Sequence, residues 1–342
     1  MGRSPVKVVH IAALVLSIAL VGPAVAAAVP AYKIVDRIKV PDGGFDYAAF
    51  DPAMGRVYMA RTNFTTVVDA KTGKVSQLNS ASGGHMLLAI PGTTLGLLPQ
   101  GKGTIRIINI PTDAVIVDLP AGMDPDCAVY DPVSKFVFVL NKASGEATVV
   151  DPIARKVVAT IQIGGILQFP ASDGEGHVFA TVDSVPEIAV IDVKSLKVTG
   201  RYPLKGCTGA QALAYDAEHK FLISSCVNGL AKVLEASSGK EVASLAIAQR
   251  PDATVYDPVR KLAFIPSGAD GVLEVVSLAD PAHISVIQHV PTQAGSRTAT
   301  IDPQSGRVYL MASQPDTAAV VPPGGRGAPR LPGSYEVLVV GQ

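Results

Sequence analysis

Seven polar side chains recur at one register of this 342-residue chain: Asp46, His85, Asp126, Gln168, Gln211, Asp252 and Arg297. Each stands five residues ahead of an anchor position, in order Asp51, Ile90, Asp131, Asp173, Asp216, Asp257 and Asp302. The residue types are those of proton transfer and charge recognition. His85 titrates near neutrality and can serve as a general acid or base. Arg297 can hold a carboxylate or an oxyanion. Asp46, Asp126 and Asp252 can orient the histidine or join it as donors to a divalent metal, for which carboxylate and imidazole are suitable ligands. The competing reading is structural, because Asp and Gln side chains also accept bonds from loop N–H groups and cap strand entries. The seven are far apart in sequence, so any joint chemistry depends on elements that bring separate segments to one place.

Those elements are short strands. Over Ala128 to Gly165 the chain reads as four of them: Ala128–Tyr130, Lys135–Leu140, Ala147–Val150 and Lys156–Ile163, with Asp-Pro turns at Asp131-Pro132 and Asp151-Pro152. β-Branched and aromatic residues broken by turn residues predict an antiparallel meander, and no helical periodicity competes. The turn after each first strand recurs at Asp51-Pro52, Pro91-Gly92, Asp131-Pro132, Asp173-Gly174, Asp216-Ala217, Asp257-Pro258 and Asp302-Pro303. A spacing of roughly 40 to 45 residues with four strands per unit predicts an all-β, seven-bladed β-propeller of four-stranded antiparallel blades. The polar register then falls where the chain enters each innermost strand, so the seven side chains encircle one mouth of the central channel. Small residues behind them, Ala48, Ala128, Ala212, Ala253 and Ala299, suit a crowded axis, and Pro170 is tolerable because an innermost strand is a sheet edge. The last unit has Arg307–Ala312 and Tyr335–Gly341 and then the chain stops. Tyr32–Val40, ahead of the first unit, has the alternation of an outer strand, and pairing it with Tyr335–Gly341 completes the last blade and closes the ring.

The first residues carry Arg3 and Lys7, an apolar run from Ile11 to Val21, and small residues from Ala24 to Ala28. This predicts a cleaved signal peptide over 1–28, with an h-region too short to span a bilayer, and a single propeller domain over 29–342 that is exported, to a periplasm or out of the cell. Basic and acidic residues balance at 29 each, and loss of the leader leaves about −2, which gives no basic field for nucleic acid. Three cysteines in an exported chain imply one pair and a remainder. Cys207 at the entry of the fifth blade and Cys226 at the end of its second strand are brought together by the hairpin between them, and Cys127 is left as a buried apolar residue. No CxxCH occurs, so covalent c-type haem is excluded. The stretch 313–332, rich in Pro and Gly, is a loop in the last blade that can overhang the mouth with Arg326 or Arg330.

Several segments resemble the bacterial exported propellers with YVTN-type repeats, the YncE-like proteins. Gly44-Phe45-Asp46-Tyr47 is similar to that family's Gly-Trp-Asp-Tyr opening, and Gly84-His85 to its Gly-Val-His-Gly segment. Pro125-Asp126 and Pro251-Asp252 match its Pro-Asp entry, Gly295-Ser296-Arg297-Thr298 its Gly-Ala-Arg-Thr, and Gly333 to Val340 its closing strand. Blade four departs from the pattern at Leu167-Gln168 and Thr181. The resemblance implies a seven-bladed, exported protein that binds ligands or acts as a scaffold, with no established reaction. The expectation is a monomeric, non-enzymatic module that binds a small molecule or a periplasmic protein through its polar mouth. A divalent metal held by Asp46, His85, Asp126 and Asp252 is one form of ligand. Two alternatives stand beside it: a lactonase-type hydrolase using His85, Arg297 and the ring carboxylates, and an accessory docking subunit of a redox enzyme.

Overall fold

The computed structural model describes residues 1–2, 31–319 and 329–342. The expected leader, apart from its first two residues, and the middle of the 313–332 loop lie outside these. Residues 31–342 form seven four-stranded antiparallel sheets, six of them built from four consecutive strands. The seventh pairs Ala299–Asp302, Arg307–Ala312 and Glu336–Gly341 with the N-terminal strand Lys33–Lys39. Ile34 faces Val340 and Ile38 faces Val337 across this closing ladder, and Arg37 Nη1 donates to Glu336 Oε1 at 2.6 Å. A reciprocal clamp holds the strand's entry, with Tyr32 N–H donating to Gln288 Oε1 at 2.8 Å and Gln288 Nε2 donating to the Tyr32 carbonyl at 2.7 Å. The last blade therefore depends on residues about 300 positions apart in sequence.

The recurrent Asp of the sequence repeat is an Asx-turn residue. Asp51 Oδ1 accepts from the N–H groups of Ala53 and Met54 at 2.9 and 3.2 Å, and Asp257 Oδ1 from those of Val259 and Arg260 at 2.9 and 3.0 Å. Lys135 takes φ 63° to finish the same turn in blade three, so the second strand there starts at Val137, two residues later than the alternation predicts. The first strand of that blade starts earlier, at Pro125.

Blades pack face to face, which explains the burial of their strands. Every residue of Val137–Asn141 and of Phe221–Cys226 is buried, whereas the outer strand Lys197–Pro203 alternates between exposed and half-buried. Between blades three and four, Phe138, Leu140 and Val149 interdigitate with Val178, Ala180 and Ile191. Burial of each Val, Leu, Ile or Phe side chain here stabilises the fold by about 1.5–3 kcal/mol, and a blade on its own cannot bury these faces fully. Cys207 and Cys226 are joined by a disulfide with a Cα–Cα distance of 5.5 Å, while Cys127 is a buried free thiol.

Candidate functional site

The innermost strands deliver the polar register to the channel mouth by breaking their own alternation. In blades one, three, four and five the pairing register slips between Phe45 and Ala48, Pro125 and Ala128, Leu167 and Pro170, and Ala210 and Ala212. A bulge bends the strand and re-aims its side chains. The residues that follow Asp46, His85 and Asp126, namely Tyr47, Met86 and Cys127, make a buried apolar cluster with Phe169 packed against it. Tyr47 meets Phe169 edge-on at 5.4 Å between ring centroids. Burial drives the Tyr47 phenol and the Cys127 thiol well above their ordinary pKa values, so both stay neutral beneath the carboxylates. In blade two the innermost strand is only Leu88–Ala89, and His85 precedes it. The backbone of His85 is nevertheless held on both sides, its N–H donating to the Pro99 carbonyl and its own carbonyl accepting from Tyr47 N–H, each at 3.1 Å. Asp46 is delivered by the segment that Arg61 fixes. That fully buried guanidinium donates to the carbonyls of Pro41, Gly43 and Gly44 at 2.8, 2.7 and 2.9 Å.

Three of the seven ring residues meet directly. His85 Nδ1 is 2.8 Å from Asp46 Oδ2 and 3.5 Å from Asp126 Oδ1. The other ring nitrogen, Nε2, lies 3.6 Å from Asp124 Oδ1. Lys142 Nζ donates to the second oxygen of Asp126 at 3.3 Å. Beside this cluster Arg297 Nε donates to Asp252 Oδ2 at 2.7 Å, and Asp252 N–H to the Arg297 carbonyl at 3.2 Å. The Thr298 hydroxyl joins the two groups by donating to the Asp46 carbonyl at 2.8 Å. Burial pushes the Asp126 carboxyl up to about 6 against the pull of Lys142, and burial likewise raises Asp252 against Arg297. His85 is raised by its hydrogen bond to Asp46 despite its burial. For Lys142, burial works against the charge but the neighbouring Asp126 carboxylate outweighs it and raises the pKa.

Two ring members make other contacts. Gln168 is buried, and its Nε2 donates to Asp183 Oδ2 at 3.2 Å inside its own blade. Gln211 is half-buried and contributes its backbone carbonyl, which accepts from the Thr181 hydroxyl at 3.5 Å. Asp252 does not share the metal-ligand geometry expected of it, because its carboxylate is engaged by Arg297; the compact His/Asp group among the described residues is Asp46, His85 and Asp126. Arg330 donates to the Ser313 carbonyl at 3.1 Å, which ties down the end of the last-blade loop, and Arg326 lies outside the described residues.

Asp124 and Lys142 complete the cluster and lie outside the seven-residue register. A second register of the repeat contains Lys142. The residue after each second strand is, in order, Thr62, Gly101, Lys142, Asp183, Val227, Gly268 and Ser313. In blades three and four it pairs with the ring residue of its own blade, Lys142 with Asp126 and Asp183 with Gln168. In blade two this position is a glycine beside His85, and Gly268 of blade six lies against Arg297 of the next blade. A β-carbon at Gly101 would sit 3.0 Å from His85 Nε2, and one at Gly268 would sit 2.7 Å from the β-carbon of Arg297.

No family model and no curated protein matches this chain. Among solved structures it is similar to a chain of Kuenenia stuttgartiensis hydrazine synthase, with TM-score 0.68 and 16% identity over 80% of this chain and 94% of that one. It is also similar to a chain of a mitotic checkpoint complex, with TM-score 0.72 and 13% identity over 88% of this chain and 96% of that one. At these identities the likeness is one of fold, the β-propeller.

Proposed function

We propose that this chain is an exported binding module whose ring-face mouth takes a ligand that presents positive charge. The observation that carries the reading is a charge deficit. Four carboxylates, Asp46, Asp124, Asp126 and Asp252, meet two permanent cations, Lys142 and Arg297, around one partly buried histidine. With His85 neutral the group holds two uncompensated negative charges, and burial, with a smaller contribution from Asp46, raises the pKa of Asp126 and Asp252 and so disfavours their charged forms. A cationic ligand offsets that negative charge and a small carboxylate adds to it. The leader-like N-terminus and the Cys207–Cys226 pair support export to an oxidising compartment.

The test is a thermal-shift and calorimetric panel of divalent cations, putrescine, acetate and citrate against the wild type and Asp126→Asn. A ligand at 100 times its Kd adds about 2.7 kcal/mol of stability. Stabilisation by cations that is lost in the variant is the expected result; stabilisation by the carboxylates alone overturns the reading.

The lactonase-type alternative has one observation in its favour. Asp46 holds His85 at Nδ1, the arrangement that leaves Nε2 for proton transfer. Lactone hydrolysis that persists in the double variant His85→Ala, Arg297→Ala would remove this alternative. The likeness to hydrazine synthase is one of fold and lends no weight to a redox docking role, for which copurification of a partner is the test.

A further inference from the structure

We infer that Asp46 Oδ2, His85 Nδ1 and Asp126 Oδ1 form a site for one first-row divalent cation of the Zn²⁺ or Mn²⁺ class, open to solvent on its outer side. This rests on the mouth being a cation-binding site and narrows it to a metal. The three residues come from three blades, and each offers a ligand atom within 4.8 Å of those of the other two. Around a cation bound at about 2.1 Å, neighbouring donors are about 3.0 Å apart in octahedral geometry and about 3.4 Å in tetrahedral geometry. The observed separations from His85 Nδ1, 2.8 Å to Asp46 and 3.5 Å to Asp126, bracket those values. One nitrogen and two carboxylate oxygens suit Zn²⁺ or Mn²⁺ better than a soft cation, which would seek sulfur.

The second observation concerns what the protein leaves unsatisfied. A single proton on His85 Nδ1 can serve one carboxylate, and the 2.8 Å contact assigns it to Asp46. Asp126 is 3% exposed, and among the described residues its Oδ1 accepts no hydrogen bond, its facing donor being that same Nδ1 at 3.5 Å. A carboxylate oxygen facing a histidine nitrogen that has already committed its proton is a position a cation fills better than a proton does.

The surrounding groups form the outer shell such a site requires. Metal-bound imidazoles usually donate their other N–H to a carboxylate. Here Asp124 Oδ1 waits 3.6 Å from Nε2, a few tenths of an ångström beyond hydrogen-bond range. Lys142 holds the far oxygen of Asp126, and Thr298 holds the Asp46 backbone. The side chains of Asp46 and His85 are about one-third exposed, so water or a ligand atom can complete the coordination. Asp252 stays outside the site, paired with Arg297.

The full chain, stripped with EDTA and dialysed, is titrated calorimetrically with ZnCl₂ and with MnCl₂, and the free Mn²⁺ signal is followed by electron paramagnetic resonance. The expected result is one ion per chain for at least one of the two metals. Asp46→Asn or Asp126→Asn should weaken binding by about 100-fold or more, and Asp124→Asn by about 10- to 100-fold through loss of the outer-shell bond. Substituting His283→Gln in the exposed His283–Asp280 pair should leave the affinity unchanged. Asp124→Asn, at a half-exposed position, keeps the test valid if an inner variant misfolds. Metal affinity that survives Asp126→Asn and Asp124→Asn within about threefold overturns the inference. Putrescine binding at the mouth with neither metal bound overturns it while leaving the cation-binding reading intact, and failure of all three probes removes both.

Discussion

Burial pushes the Asp126 carboxyl up to about 6 in the folded protein, against 3.8 for a free aspartate. A group whose acid form is favoured by folding binds its proton more tightly in the native state, so native stability falls as pH rises through the window between the two values. The difference of about two pKa units corresponds to roughly 3 kcal/mol, absent below about pH 4 and fully expressed above about pH 6 to 7. Asp126→Asn keeps the side-chain shape and an acceptor for Lys142 while carrying no charge at any pH. The stability of the variant minus that of the wild type should therefore rise by up to about 3 kcal/mol between pH 4 and pH 8, with the variant the more stable at pH 8. Urea unfolding followed by circular dichroism at four or five pH values, with EDTA present, measures this difference, and groups titrating alike in both proteins cancel. A difference that is flat with pH, or that shows the variant losing stability as pH rises, would refute the claim that burial outweighs Lys142 at this carboxylate.

Three further outcomes are expected. Reducing Cys207–Cys226, or replacing both by Ala, should lower stability by about 3 kcal/mol for a loop of this length, read as a shift of the urea midpoint with and without reductant. Arg61→Met should cost about 3–5 kcal/mol, since three carbonyls lose their donor and the Phe64 and Tyr335 rings, each 5.3 Å from the guanidinium, lose a cation; Arg61→Lys should recover only part of this because an ammonium cannot span the same acceptors. A chain beginning at Val40 should lose cooperative unfolding or aggregate, because Glu336–Gly341 becomes an open, fully buried-type strand edge; size-exclusion chromatography and thermal melts report it.

Much of this molecule is written in short stretches of chain. The Asx-turn aspartates, the β-branched strands between them and the outlying Tyr32–Val40 segment specify seven blades and their closure, because side-chain-to-backbone bonds and strand alternation act over a few residues and repeat. The Cys207–Cys226 pair follows from one hairpin, and the polar register is legible once the repeat is aligned. The division of labour within that register is a different matter. That Asp46, His85 and Asp126 meet, that Asp252 goes to Arg297, and that Gln168 turns to Asp183 depends on how neighbouring blades are spaced and on bulges that re-aim particular side chains. Asp124 reaches His85 of the neighbouring blade for the same reason, whereas Lys142 stands at the register position that follows the second strand of its own blade. Local hydrogen bonding and periodicity choose the element, but angström-scale contact between residues some 40 positions apart is set by the packing of whole blades, which no single segment contains.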